Sequence, residues 1–156
     1  HLIQGGKNTD WESICNDQKG HLWIRDVGNN QNNRKDLKVY KVEEPGETIP
    51  KKLSVLKTLR ILYRDQDAFP PVKMNFDCEA LFYWNEHLYL LTKHRSDTDT
   101  KLFRIEDLKT EEKQVVTLIG RFTLIGQVTG AALHPGGNTL AVLTRIFHEK
   151  EIAISS

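Results

Sequence analysis

Two pairs of carboxylates, Asp10 with Glu12 and Asp77 with Glu79, share the same i, i+2 spacing. On an extended strand, residues i and i+2 point to one face, so each pair would present its oxygen-bearing side chains together. If the pairs line adjacent strands, four carboxylates converge and repel one another. A hard cation, buried basic groups or raised pKa values must then resolve the conflict. Calcium suits the first solution, because it takes several oxygen ligands and tolerates irregular geometry. Asp10, Glu12, Asp77 and Glu79 are therefore the candidate metal ligands. The same acids can instead accept hydrogen bonds from backbone N–H groups and fasten neighbouring units, or act directly in acid–base chemistry. A third comparable stretch, Val128-Thr129-Gly130, carries no acids, so a full ring of ligands is not present.

The segment Asp26-Val27-Gly28-Asn29-Asn30 runs through Gln31-Asn32-Asn33 to Arg34. It has the Asp-x-Gly-x-Asn start of a calcium loop but lacks the later bidentate Glu and any flanking helix pattern. Gly and Asn supply turn conformations with positive φ, and Arg34 has Asp26 and Asp36 within reach as partners. As the loop richest in polar groups, it is where a ligand is expected, with Asp26, Asn30 and Arg34 as contacts. His21 and His87 each precede a strand-like run, which points to a structural or solvent-facing role. His94, between Lys93 and Arg95, is placed to help bind an anion or to sit in a solvated loop. The sequence has no nucleophile elbow, H-E-x-x-H helix, phosphate-cradling glycine loop or Cys–His signature.

Short runs rich in Val, Ile, Leu, Tyr, Phe and Trp must position these groups. Asp10 to Ile14, Gly20 to Ile24 and Leu37 to Val42 form an ordered series. It returns as Asp77 to Leu81, Glu86 to Leu90 and Lys101 to Ile105, and more weakly as Val128 to Ala132 and Thr139 to Leu143. Leu53 to Tyr63 and Val115 to Ile125 add one or two outer strands each. Amphipathic helical periodicity is nearly absent, with room for a helical turn at Glu106 to Gln114. The pattern predicts an all-β chain of about three four-stranded antiparallel units, with approximate bounds 9–66, 67–126 and an incomplete 127–156. Such units read as β-propeller blades, and a β-sandwich is the alternative.

Thr9 to Glu12, Asp26 to Asn30, Arg34 to Val42, Asn75 to Ala80, Leu90 to Lys93 and Val128 to Ala131 together resemble a bacterial secreted or periplasmic β-propeller family of the Bacteroidetes type. The resemblance spans almost the whole chain. More distantly, the acidic unit starts are similar to calcium-dependent propellers of the phytase and lactonase kinds, a likeness of architecture that does not by itself confer function. The resemblance implies a six-bladed ring of which this chain supplies about half, and an extracellular or periplasmic location. A half-ring would expose two broad apolar faces, so its partners are the remaining blades of a longer chain or a second half-ring. Two functions follow as expectations. One is a binding module that meets a small molecule, carbohydrate or protein at its rim, with calcium for rigidity. The other is a calcium-dependent hydrolase, for which no basic cluster suited to a polyphosphate accompanies the acids.

Composition narrows the partners. The 156 residues are 38% hydrophobic and 28% charged, with 22 Lys+Arg against 21 Asp+Glu interleaved along the chain. Bulk-charge binding to nucleic acid is not expected. Apolar runs are far shorter than the ~18–20 residues of a membrane span. Cys15 and Cys78 fit no metal motif and read as small buried hydrophobes, with a disulfide between them as the alternative. The opening His1-Leu2-Ile3 carries no leader pattern, so any targeting segment is expected to have been removed or left out.

Overall fold

The computed structural model describes residues 2–47 and 51–146. The protein is all-β, and the described residues form no helix. The strands are β1 (Leu2–Gln4), β2 (Ser13–Asn16), β3 (His21–Asp26), β4 (Lys38–Glu43), β5 (Lys52–Tyr63), β6 (Asp77–Trp84), β7 (His87–Lys93), β8 (Asp99–Ile105), β9 (Lys113–Thr123), β10 (Gln127–Leu133) and β11 (Leu140–Arg145).

Side-chain period and turn chemistry account for these boundaries. In β7 the run from Leu88 to Thr92 is buried at every position, as befits a strand covered on both faces. In β5 the first half alternates exposed and half-buried residues, while Leu59, Ile61 and Tyr63 are buried in the second half. Asn85 and Glu86 link β6 to β7 with φ of 45° and 67°, the doubly positive type I′ geometry that matches strand twist.

Strands β2 to β5 form one antiparallel meander and β6 to β9 a second. The meanders join where Arg60–Tyr63 of β5 pairs in parallel with Lys113–Val116 of β9. The resulting path runs β2-β3-β4-β5-β9-β8-β7-β6, and its two ends, β2 and β6, come back into contact. The eight-stranded sheet is thus nearly closed and barrel-like. β1 pairs in parallel with the other end of β5, and the hairpin β10-β11 lays β10 against β6.

Three apolar layers hold this arrangement. Trp23, Val39, Leu59 and Ile61 of the first meander pack on Cys78, Leu81, Leu90 and Phe103 of the second. The opposite face of the second meander, with Phe82, Tyr89 and Leu91, is covered by Val128, Ala131 and Leu140 of the hairpin. The opposite face of the first meander, with Ile24, Tyr40 and Val42, is covered by Ile3 and Trp11. The N-terminal segment thus covers the outer face of the first meander. The hairpin side keeps Ile125, Leu143 and Ile146 exposed.

Further details differ from expectation. Asp10 to Glu12 precede β2 instead of lying in it. Residues 106–112 make no helical turn, because the Asp107 carboxylate accepts the N–H groups of Lys109 and Thr110 and closes a local turn that competes with helix. Both cysteines are free thiols. Residues 147–156 of the third expected unit lie outside the described residues.

Candidate functional site

The lead-in to β2, the β3–β4 loop (27–37), the β5–β6 connection (64–76) and the β7–β8 loop (94–98) gather at one end of the sheet. They are tied together by polar side chains. Asp26, at the end of β3, is fully buried, and its Oδ1 accepts from Thr9 N at 3.3 Å, Asp10 N at 2.8 Å and Arg34 Nη1 at 3.3 Å. Arg34 also donates to Gly28 O at 2.7 Å and to Asp36 at 3.1 Å, so its guanidinium clasps its own loop.

Asn29 and Asn32 carry that loop across to the second meander. Asn29 N donates to Asp77 Oδ1 at 2.8 Å. Asn32 is buried at φ 49°; its Oδ1 accepts Phe76 N at 2.6 Å and its Nδ2 donates to Asn29 O at 2.8 Å. Gln66 Nε2 donates to Asn32 O at 2.8 Å. Arg95 Nη2 reaches Asp77 Oδ2 at 2.9 Å and also Asn30 Oδ1. Asp26, Asn30 and Arg34 therefore belong to one latch between the meanders, and of these three Asn30 is exposed.

The four acids come into one neighbourhood at this junction, though not as two matched strand pairs. The Asp10 carboxylate lies against Gly28, with the Glu12 carboxyl beside it. Glu79 stands at a register shift in the β6–β7 pairing between Cys78 and Ala80, which breaks strict alternation with Asp77. Glu79 pairs with Lys93 at 2.9 Å. Arg25 of β3, completely buried, donates from Nη1 to Cys78 O and places Nη2 3.9 Å from Glu12 Oε2.

Burial first, then the Asp10 hydrogen bond and the Glu79 and Asp10 charges, push the Glu12 carboxyl up to about 7 against the pull of Arg25. Burial likewise raises Glu79, opposed by Lys93. The convergence is thus met by buried or half-buried bases and by a carboxyl whose pKa is raised. Among the described residues, no three His, Cys, Asp or Glu side chains are grouped to hold a metal ion.

Several of these groups escaped the sequence reading. Arg25 sits two residues from Trp23, on the inward side of β3, where a charged residue at an apolar strand position was the available signal. Asp17, in the β2–β3 turn, accepts from the N–H groups of Lys19 and His21 at 2.8 and 3.1 Å, with His21 Nδ1 at 3.0 Å. Burial acts to raise its carboxyl, and these donors with the His21 charge bring it below the usual value. His94, expected as an anion contact or a solvated-loop residue, is not solvated: it is buried with Nδ1 2.6 Å from Asp97 Oδ1, and burial lowers its pKa despite that partner.

A cavity of about 270 Å³ adjoins the latch, lined by Arg34, Lys35, Lys113 and Phe69 over Leu37 and Ile61. No family model, curated protein or solved structure matches the chain. No helix among the described residues is long and apolar enough to cross a membrane.

Proposed function

We propose that the chain is an arc of a β-propeller that works as a binding module, meeting a small polar molecule, carbohydrate or protein at the loop end that holds Asp26, Asn30 and Arg34. The observation that carries this reading is the pairing of the junction acids. Asp26 faces Arg34, Asp77 faces Arg95, Glu79 faces Lys93 and Glu12 faces Arg25. Each pair lies within one meander, and the two meanders are tied by Asn29 N on Asp77 and Phe76 N on Asn32, so the acids are occupied structurally and the exposed loop groups beside them are left for recognition. Two antiparallel four-stranded meanders with their first strands, β2 and β6, side by side, and β10 beside β6, support the arc. The open hairpin face, with Leu143 and Ile125, then belongs against further blades of a longer chain or a second half-ring, and an extracellular or periplasmic location is proposed on the resemblance alone.

One observation favours the second reading, a calcium-dependent hydrolase. Burial and the neighbouring Asp10 and Glu79 push the Glu12 carboxyl up to about 7, and burial raises Glu79 beside it, the direction that general acid–base chemistry requires. Two measurements on the intact chain separate the readings. In an amide NMR titration with oligosaccharide and peptide panels, the binding reading expects perturbation of loops 27–37, 64–76 and 94–98. Shifts confined to the β6–β7 turn at the opposite end would overturn it. Elemental analysis that finds bound calcium, lost together with phosphoesterase or lactonase activity in Glu12→Ala and Glu79→Ala, would establish the hydrolase instead.

A further inference from the structure

The cavity of about 270 Å³ beside the latch lies where the two meanders meet. Arg34, Lys35 and Leu37 reach it from the β3–β4 loop, Ile61 to Tyr63 from β5, and Lys113 from the start of β9. Three of its side chains are cations, Gln66 is an amide, and no Asp or Glu among the described residues lines it. A basic recess with apolar walls focuses positive potential and draws in an anion.

Each cation is held in place. Arg34 commits Nη1 to Asp26 and Gly28 O and Nε to Asp36, while its Nη2 is buried with no acceptor. Lys113 Nζ donates to Lys35 O at 3.0 Å, which sets β9 against the loop. Lys35 Nζ stands 4.9 Å from the centre of the Phe69 ring. Neither lysine has a carboxylate partner among the described residues. Asp26 and Asp36 offset the Arg34 charge without lining the cavity, so the two ammonium groups are its uncompensated charges.

The floor decides what kind of anion fits. Leu37, Ile61 and Tyr63 are buried, and Phe69 adds an exposed aromatic wall. An inorganic anion would use the cations and leave this apolar surface wet, whereas an apolar body displaces that water. The recess is smaller than the usual pocket for a drug-sized ligand, so its occupant is small. We propose that the cavity binds a small organic carboxylate with an apolar body: the carboxylate meets Lys35, Lys113 and the unmatched Nη2 of Arg34, and the body lies over Leu37 and Ile61. This rests on the binding reading and names its ligand class. It also sets the ligand across the parallel seam of β5 and β9.

The test is an amide NMR titration of the full chain with benzoate, with benzamide as its uncharged isostere and with inorganic phosphate. Benzoate is expected to shift residues 34–37, 61–66 and Lys113. Benzamide should bind at least about tenfold more weakly, because it lacks the charge-assisted contacts. Lys35→Met and Lys113→Met keep much of the aliphatic stem at exposed positions, and each should weaken benzoate about two- to fivefold, as exposed charge contacts do. Arg34 is left intact because it also fastens the latch. At about ten times its Kd, benzoate should slow exchange of the Leu62 amide about tenfold, since a ligand that bridges the seam opposes its opening. Benzoate that shifts none of these residues, or that binds the double lysine variant unchanged, would overturn the carboxylate site. In that case, shifts of the loop end by oligosaccharide or peptide would still leave the binding reading standing. Phosphate bound as tightly as benzoate, or benzamide bound equally well, would likewise overturn the proposal, the first by removing the apolar body and the second by removing the charge.

Discussion

Gly28 permits the close approach of Asp10, and replacing it gives a sharp test of the junction. A Cβ built there would lie 2.4 Å from Asp10 Cγ and Oδ2 and 2.9 Å from Oδ1. No backbone conformation peculiar to glycine is required at this position, so Gly28→Ala on its own would be expected to gain about 0.4–1 kcal/mol through the unfolded chain. Contact with Asp10 reverses the sign. The aspartate side chain is short and its backbone is pinned on both sides, so the clash is relieved by displacing the carboxylate from Glu12, at the ~1–3 kcal/mol typical of overpacking. At this chain length each kcal/mol moves the melting temperature by about 2–4 °C. Gly28→Ala should therefore melt several degrees lower than the parent, by about 3–10 °C. The control is the double-mutant cycle with Asp10→Ala, in which Gly28→Ala should become neutral or stabilising, giving a coupling of about 2 kcal/mol. Equal cost of Gly28→Ala in both backgrounds would refute the packing of Asp10 on Gly28 and, with it, the geometry of the acid cluster.

Other outcomes follow from the same junction. Asn32→Ala removes the acceptor of a buried Phe76 N–H and leaves a β-carbon at positive φ; a loss of about 3 kcal/mol in chemical denaturation is expected, and a loss under about 1 would show that the latch is not formed. The raised carboxyl of Glu12 lets the folded chain hold a proton that the unfolded chain has released between about pH 4.5 and about 7, so its contribution is lost as pH rises through that window. After solvent screening this amounts to about 1 kcal/mol, and the pH slope of stability should be visibly flatter in Glu12→Gln than in the parent. For His94 the sign is opposite. Its pKa is lowered in the fold, so the unfolded chain takes the proton first and stability declines as pH falls below 6.5. Histidine NMR should place the His94 midpoint below 6.5, and a midpoint above it would contradict the burial of that ring.

The strands were legible because their chemistry is local. The β-branched and aromatic residues Val39, Tyr40 and Val42 and the apolar run Leu88 to Leu91 needed no knowledge of neighbours. The i, i+2 spacing of Asp10 with Glu12 and of Asp77 with Glu79 was legible for the same reason, whereas the approach of Glu12 to Glu79 depends on how the meanders pack. Their pairing was not legible, because it depends on partners distant in sequence: Arg25 for Glu12, Lys93 for Glu79, Arg95 for Asp77. The i, i+2 argument also assumed regular strand at both pairs, whereas one pair precedes its strand and the other spans a register shift. Asn32 looked like a turn former and is one, yet its larger role is to accept a backbone N–H across the junction. The cover that Ile3 and Trp11 give the first meander had no periodic signature at all, since a three-residue strand is too short to show one.

The parallel seam between β5 and β9 carries a kinetic consequence. Arg60–Tyr63 and Lys113–Val116 are separated in sequence by β6, β7 and β8, so the chain must close a long loop before the seam returns any hydrogen bonds. Each meander, by contrast, zips from hairpin contacts between consecutive strands. The seam is thus the late event of folding and the first pairing to open, and amides such as Leu62 should exchange with solvent well before those of Leu90 in the centre of β7. A sheet that is almost closed on itself is in this way shut by its slowest stitch, and it can breathe there while both meanders stay intact.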